Sequence, residues 1–348
     1  MVNKTAEIYN HVIKLYQTEL MQTADNLEKK RKIFVLVNKI ITTLIVLGGI
    51  LAVPFSFAAL GLGGDDNLNI FLFVLVWAGF VLASIYTCVW TFRTIIFNFF
   101  SAEVKSKLFA KIYKSLDANL TYFPGKFKFP TNMYDIELCW NSFRKPDNSF
   151  LLEQQIEKLK IFPEYDYIRV DDSILGTYNG HEVQVIEFSL IDKRVHHSSK
   201  GGRTTTYVEV FHGALFQTSM EKHINANVFI KQKGSNLTHP SILKRVNLES
   251  NEFEKIFEVY SHDQIEARYF LNTATMDKLI NINNSGQKIS SYVCGKSISV
   301  LIHSSKDMFE PDMNKPVNNP NNYFELIFQA KSILDMITQL NLESKTGL

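Results

Sequence analysis

The chain has 348 residues, enough for two domains or for one domain plus an anchor. A formal net charge of +2 argues against a strong whole-protein attraction to nucleic acid. Three widely spaced cysteines, Cys88, Cys139 and Cys294, with no C-x-x-C pair, argue against a disulfide framework and fit a reducing compartment.

The N-terminal residues 5–31 carry Ile8, Val12, Leu15, Leu20, Ala24 and Leu27 at roughly helical spacing. Two uncharged runs follow, Ile40–Leu62 and Ile70–Phe92, separated by Gly-Gly-Asp-Asp-Asn-Leu-Asn. Each run exceeds the roughly 20 residues of helix that a bilayer core requires, so a transmembrane hairpin is expected. The first run begins too late for a cleaved signal peptide. The pairs Gly48-Gly49 and Ala78-Gly79 suggest close helix approach.

Lys29, Lys30, Arg31, Lys32 and Lys39 precede the hairpin, Arg93, Lys105, Lys107, Lys111 and Lys114 follow it, and no Lys or Arg lies between Lys39 and Arg93. That asymmetry predicts both termini in the cytoplasm, with Asp65 and Asp66 at the outer tip. No ionisable group interrupts either run, so an anchor is expected in place of an ion or proton pathway.

After the second run, Val104, Leu108, Ile112, Leu116 and Leu120 recur at four-residue steps. Two placements are open for this helix and its N-terminal counterpart: packed together as a stalk, or lying on the membrane with the lysines at anionic headgroups. Homo-oligomerisation through the same stripe is also open. Residues 121–150 read as a boundary broken by Pro124, Pro130 and Pro146, with a short helix at 135–143 and another from Ser149 to Lys160.

From Tyr165 the period moves toward two. Asn179-Gly180 predicts a hairpin turn, leading to a strand 182–191 whose Val183, Val185 and Glu187 share a face. A polar tip at 196–203 leads to strand 204–219, then strands at 227–232, 243–248 and 257–261. Asp263 with Glu266 reads as a capping box before a helix to Leu271, with a second helix at 274–282. Segments 288–294 and 297–303 read as a hairpin about Gly295-Lys296. The chain closes on an amphipathic helix after Pro320, with Phe324, Ile327, Phe328, Lys331, Leu334, Ile337 and Leu340 on one face. The class is α+β with a mostly antiparallel sheet, one candidate being a pleckstrin-homology-like barrel. The expected division is a juxtamembrane helix (1–39), the hairpin (40–92), a second juxtamembrane helix (93–120), a linker (121–160) and a cytosolic domain (161–348).

Leu159-x-x-Phe162-Pro163, Asp171-Asp172, Gly176-x-Tyr178-x-Gly180, Phe211-x-Gly213-x-Leu215-Phe216 and the run Phe253–Leu271 together resemble an uncharacterised bacterial membrane-protein family, a domain of unknown function. The resemblance covers about residues 150–342. It implies a transmembrane pair before a cytosolic α+β domain and a bacterial cytoplasmic-membrane location. It implies no activity.

Motifs for chemistry are sparse. No H-E-x-x-H, Cys-rich ligand set or G-x-S-x-G elbow occurs, so no catalytic residue, metal or cofactor is assigned. Asp171-Asp172 reads as a turn before the first strand. His262-Asp263 and Glu266-Arg268 read as a cap and a surface ion pair. The loop 198–203 reads as an exposed hairpin tip, and Lys200 and Arg203 are the candidate contacts for an anionic partner. The expected function is a membrane-anchored, non-enzymatic binding or scaffold module for a protein, peptide or lipid headgroup, with no nucleic-acid partner. The alternative is a membrane-associated enzyme, such as a hydrolase, with a site assembled from distant residues.

Overall fold

A computed structural model of the chain describes residues 2–59, 67–125, 149–197, 202–284, 286–305, 307–312 and 314–336. Helix α1 (Val2–Leu15) continues through a π turn, Tyr16–Leu20, into the long helix α2 (Met21–Ala59). Helix α3 (Asn67–Val104) returns and passes through a second π turn, Lys105–Phe109, into α4 (Ala110–Leu116). The π turns explain the spacing of the apolar stripes. Leu15 and Leu20, five residues apart, share a buried face because the wide turn absorbs one extra residue. Val104, Leu108 and Ile112 stay on one face because four residues fall short of a full π turn, offsetting their drift in an α-helix.

α2 and α3 pack against each other. Among the described residues no helix is long and apolar enough to cross a membrane. The backbone of 40–59 and 70–92 is helical. The loop 60–66 and the side chains of 49–78 lie outside the described residues. Among the described residues, a Cβ built on Gly48 or Gly79 meets nothing within 4 Å.

A seven-stranded antiparallel sheet forms the rest of the core. Its strands are β1 (Thr121–Phe123), β2 (Tyr167–Tyr178), β3 (His181–His197), β4 (Arg203–Gln232), β5 (Lys244–Val246), β6 (Phe257–Ser261) and β7 (Ile289–His303). The order is β1-β2-β3-β4-β6-β5, with β7 on the other side of β4. The Asn179-Gly180 hairpin forms as expected, with φ of 50° and 80° at its two central residues.

Two expectations fail for one reason. Strands expected at 204–219 and 227–232 are a single strand, and the hairpin expected at 288–303 is a single strand facing it. Both are bent where their register shifts between Ser219 and Val228, and Gly295, at φ 62°, sits opposite Ile224 there. Glycine and polar residues at that corner imitate a turn, while the pairing continues through a bulge. Among the described residues the sheet is branched at β4, and its end strands β1 and β5 are not paired with each other.

Side chains alternate across the sheet. Val183, Val185, Ala214, Phe216, Val300 and Ile302 face a core shared with α1–α4 and the C-terminal helix α9 (Asn321–Leu334). Ile186, Phe188, Leu215 and Leu301 face a second core closed by α5 (Ser149–Leu159). Helices α6 (Asn251–Ile256), α7 (Gln264–Phe270) and α8 (Thr273–Asn284) complete the first layer. Asp263 caps α7 by accepting from the N–H groups of Ile265 and Glu266. Glu266 instead accepts from Asn225 N at 3.3 Å, and Arg268 donates to Gln264 and Asn247, so neither the reciprocal half of the box nor the expected ion pair is seen.

The buried face of α9 is Tyr323, Leu326, Ile327, Ala330, Ile333 and Leu334. Phe328, expected on that face, is 40% exposed, and Ile337 and Leu340 lie outside the described residues, as do 135–143. α9 packs against α1 and α4, so the helices expected to stand as a stalk share the domain's core.

Candidate functional site

The sequence places Asp171 and Asp172 in a turn, but they lie inside β2. The register shifts between Val170 and Ser173, and across it β3 runs from Phe188 to Ile186. Asp171 and Asp172 therefore oppose the single residue Glu187 in a β-bulge, a device that re-aims side chains. All three are buried: 7%, 0% and 1% exposed. A bulge leaves no mark in apolar periodicity, and two adjacent aspartates imitate a turn, so sequence pattern alone misreads them.

The countercharge comes from the π turn after α3. Lys105 Nζ donates to Asp172 Oδ2 and to Glu310 Oε1, both at 2.7 Å. Lys105 is itself 2% exposed. It thus does not face headgroups, as its place in a basic juxtamembrane run suggests. Asp172 Oδ1 accepts from Tyr122 OH and Gly125 N, each at 2.7 Å. Ser101 donates to Glu310 Oε2 at 2.8 Å. A Cβ on Gly125 would stand 1.8 Å from Asp171 Oδ1, so only glycine admits the chain this close.

Burial opposes the Lys105 charge, but Asp172, Glu310 and Asp171 outweigh it and hold the ammonium above the ordinary lysine range. Burial, joined by Asp171 and Glu310 and resisted by Lys105, pushes the Asp172 carboxyl up to about 6.

A second group adjoins the first. His212 on β4 points Nε2 at Asp307 Oδ1 (3.3 Å) and Glu187 Oε1 (3.9 Å), while its Nδ1 lies 3.0 Å from the Ser304 carbonyl. Met308 N donates to Glu187 Oε1 at 2.7 Å. The hydrogen bond to Asp307, working against burial, raises the His212 pKa. Tyr113 of α4 lies beneath this loop, its ring 5.9 Å from that of Phe309. Burial first, then the carboxylates of Asp172 and Glu187, pushes its phenol well above the ordinary range.

The segment 304–320 ties these groups to the N-terminal helices. Glu28 accepts from Val317 N at 2.9 Å while Arg31 grips its carboxylate at 2.7 and 2.8 Å, and Tyr16 donates to Asn318 O at 2.7 Å. A solvent-open cleft of about 230 Å³ lies alongside, with Asp307 and Glu310 in its wall. Sequence spacing could not assemble this site, whose members come from six separate segments.

The residues expected at the partner site lie elsewhere. Beyond the pairs Tyr167–Ile191 and Gly213–His303, strands β3 and β4 run on as a two-stranded ribbon. Arg203, paired with His197, is exposed at its end. Lys200 lies outside the described residues. Lys193 stands 6.0 Å over the Tyr207 ring along the ribbon.

No curated protein matches the chain. One solved structure that matches is the crystal structure of the mycobacterial trehalose monomycolate transport factor A, at 10% identity and a TM-score of 0.29, over 50% of this chain and 75% of that one. Likeness at that level carries no argument here. A domain of the family described as "protein of unknown function (DUF3137)" is found at residues 209–342.

Proposed function

We propose that the chain is a membrane-anchored binding or scaffold module, held to the cytoplasmic face of a bacterial membrane by a helical hairpin at 40–62 and 70–92. The observation that carries this reading is the exposed apolar row Leu36, Ile40, Leu44 and Leu47, 49–61% exposed, along α2. A row of that kind on a helix needs lipid or another chain to cover it. The flanking lysines and arginines support cytoplasmic termini.

The clamp of segment 304–320 between the helix roots and the sheet supports a role in presenting the domain at a fixed attitude to the bilayer. The ribbon tip with Lys200 and Arg203 would then meet an anionic protein, peptide or headgroup, with tethering raising its effective concentration. Crosslinking in native membranes, with and without Lys200→Glu and Arg203→Glu, tests this. Partners that persist unchanged after both reversals contradict the tip assignment, and release of the protein by carbonate contradicts the anchor.

A second reading, a membrane-associated hydrolase, is favoured by one observation: acids and a histidine from distant segments converge beside an open cleft. Hydrolysis of a model ester or phosphoester, abolished by Glu187→Gln, would favour it over the binding module.

A further inference from the structure

We propose that Glu187, His212 and Asp307 bind one divalent transition-metal ion of the zinc class, at a position reached from the cleft beside the helix roots.

The first argument is geometric. One ligand atom from each residue lies within 4.8 Å of the other two. Tetrahedral bonds of about 2.0–2.1 Å put ligand atoms about 3.3 Å apart. His212 Nε2 is already 3.3 Å from Asp307 and 3.9 Å from Glu187, and the two carboxylates lie within 4.8 Å of each other, so a contraction of at most about 1.5 Å completes the site. The imidazole is oriented for it, because its Nδ1 faces the Ser304 carbonyl, which fixes the ring and turns Nε2 to the carboxylates. Outer hydrogen bonds of this kind are what metal-binding histidines and carboxylates use, and Met308 N does the same for Glu187.

The second argument comes from a neighbouring side chain. The Tyr113 hydroxyl is fully buried and makes no hydrogen bond, and the carboxylates that bear on it are those of Asp172 and Glu187. A buried hydroxyl left in that state calls for a missing partner. A metal-bound water next to Glu187 supplies one.

Access exists, since Asp307, 36% exposed at its side chain, belongs to both the group and the cleft wall. One imidazole with two carboxylates suits zinc and its neighbours better than calcium or magnesium, which prefer all-oxygen sets.

The test uses the full chain, solubilised, stripped with chelator and titrated with Zn²⁺ alone, with Co²⁺ as a spectroscopic reporter. The expected result is one equivalent of Zn²⁺, and a visible Co²⁺ band that Zn²⁺ erases. His212→Gln and Asp307→Asn should each weaken binding by at least about 100-fold, the upper end of what a lost outer partner does. His196→Gln, at the exposed ribbon, should leave it unchanged. Asp307→Asn, at the cleft mouth, carries the test if His212→Gln fails to fold by circular dichroism. Absence of stoichiometric uptake, or uptake that follows His196 and not His212 and Asp307, overturns the proposal and leaves a His212–Asp307 ion pair in its place.

Discussion

Replacing Lys105 with Met removes the charge that balances Asp172 while keeping most of the side-chain volume. Asp172 is 0% exposed, so its carboxylate has no water to turn to. Left alone, it takes up a proton, because a neutral acid is cheaper in that position than an unpaired anion. With Lys105 in place the Asp172 carboxyl already lies at about 6, so giving up its charge at pH 7 costs about 1.4 kcal/mol, and loss of the Lys105–Glu310 pair adds to this, toward the about 3–5 kcal/mol known for breaking a buried pair. At pH 5 the carboxyl is already largely neutral and the first part of the cost vanishes.

The variant should therefore lose about 2–7 °C of melting temperature at pH 7 and less at pH 5. Thermal unfolding of the solubilised chain, followed by circular dichroism, reads this directly. Lys105→Met combined with Asp172→Asn should recover at least about 2 kcal/mol relative to the sum of the single changes. A loss below about 1 kcal/mol, an equal loss at both pH values, or strict additivity with Asp172→Asn would refute the claim that this pair bears on the fold.

Other tests follow from the same structure. His303 sits edge-on to Phe211, 3.0 Å from Ser290 Oγ, and burial, then Lys288, lowers its pKa from 6.5 to about 4. Its contribution is present above pH 6.5 and is lost as pH falls toward 4, amounting to about 3 kcal/mol at most. His303→Gln should flatten that limb of the stability–pH curve, and an unchanged limb contradicts the assignment. Gly176→Ala would push a Cβ to 2.1 Å from the Asn119 carbonyl oxygen, against the backbone of Asn119 and Leu120 that cannot swing aside, so a loss of about 3 kcal/mol or more is expected. Gly180→Ala, with open space around it, should lose only about 1 kcal/mol in chemical denaturation. Equal losses at the two glycines would sink the steric argument. Reversing Lys200 and Arg203 should weaken sedimentation with anionic vesicles in a salt-sensitive way if headgroups are the partner.

Local signals in the sequence are faithful where one residue decides the outcome. Asn179-Gly180 turns the chain, Asp263 caps α7, and β6 spans Phe257–Ser261 as its alternation indicates. Signals fail where tertiary pairing overrides a local pattern. The Gly295 corner reads as a turn because bulge and turn share residue types, and only the opposing kink in β4 distinguishes them. The acid cluster was invisible for a related reason. Asp171, Asp172 and Glu187 are ordinary surface residues by type, and they become a site only through a bulge and a lysine 67 positions from Asp172 in sequence. Lys105 itself sat in a basic run that orientation rules account for without reference to any partner. Arg203 is exposed as expected, though far along the ribbon from the groups the fold gathers.

The anchor is the claim on which the proposed role rests. With the native cysteines replaced, single cysteines at Asp65 and Asp117 in intact cells, probed with a membrane-impermeant maleimide, test it most directly. The account predicts labelling of Asp65→Cys in intact cells and of Asp117→Cys only after permeabilisation. Labelling of neither site before lysis, together with release of the protein into the carbonate wash, would contradict it.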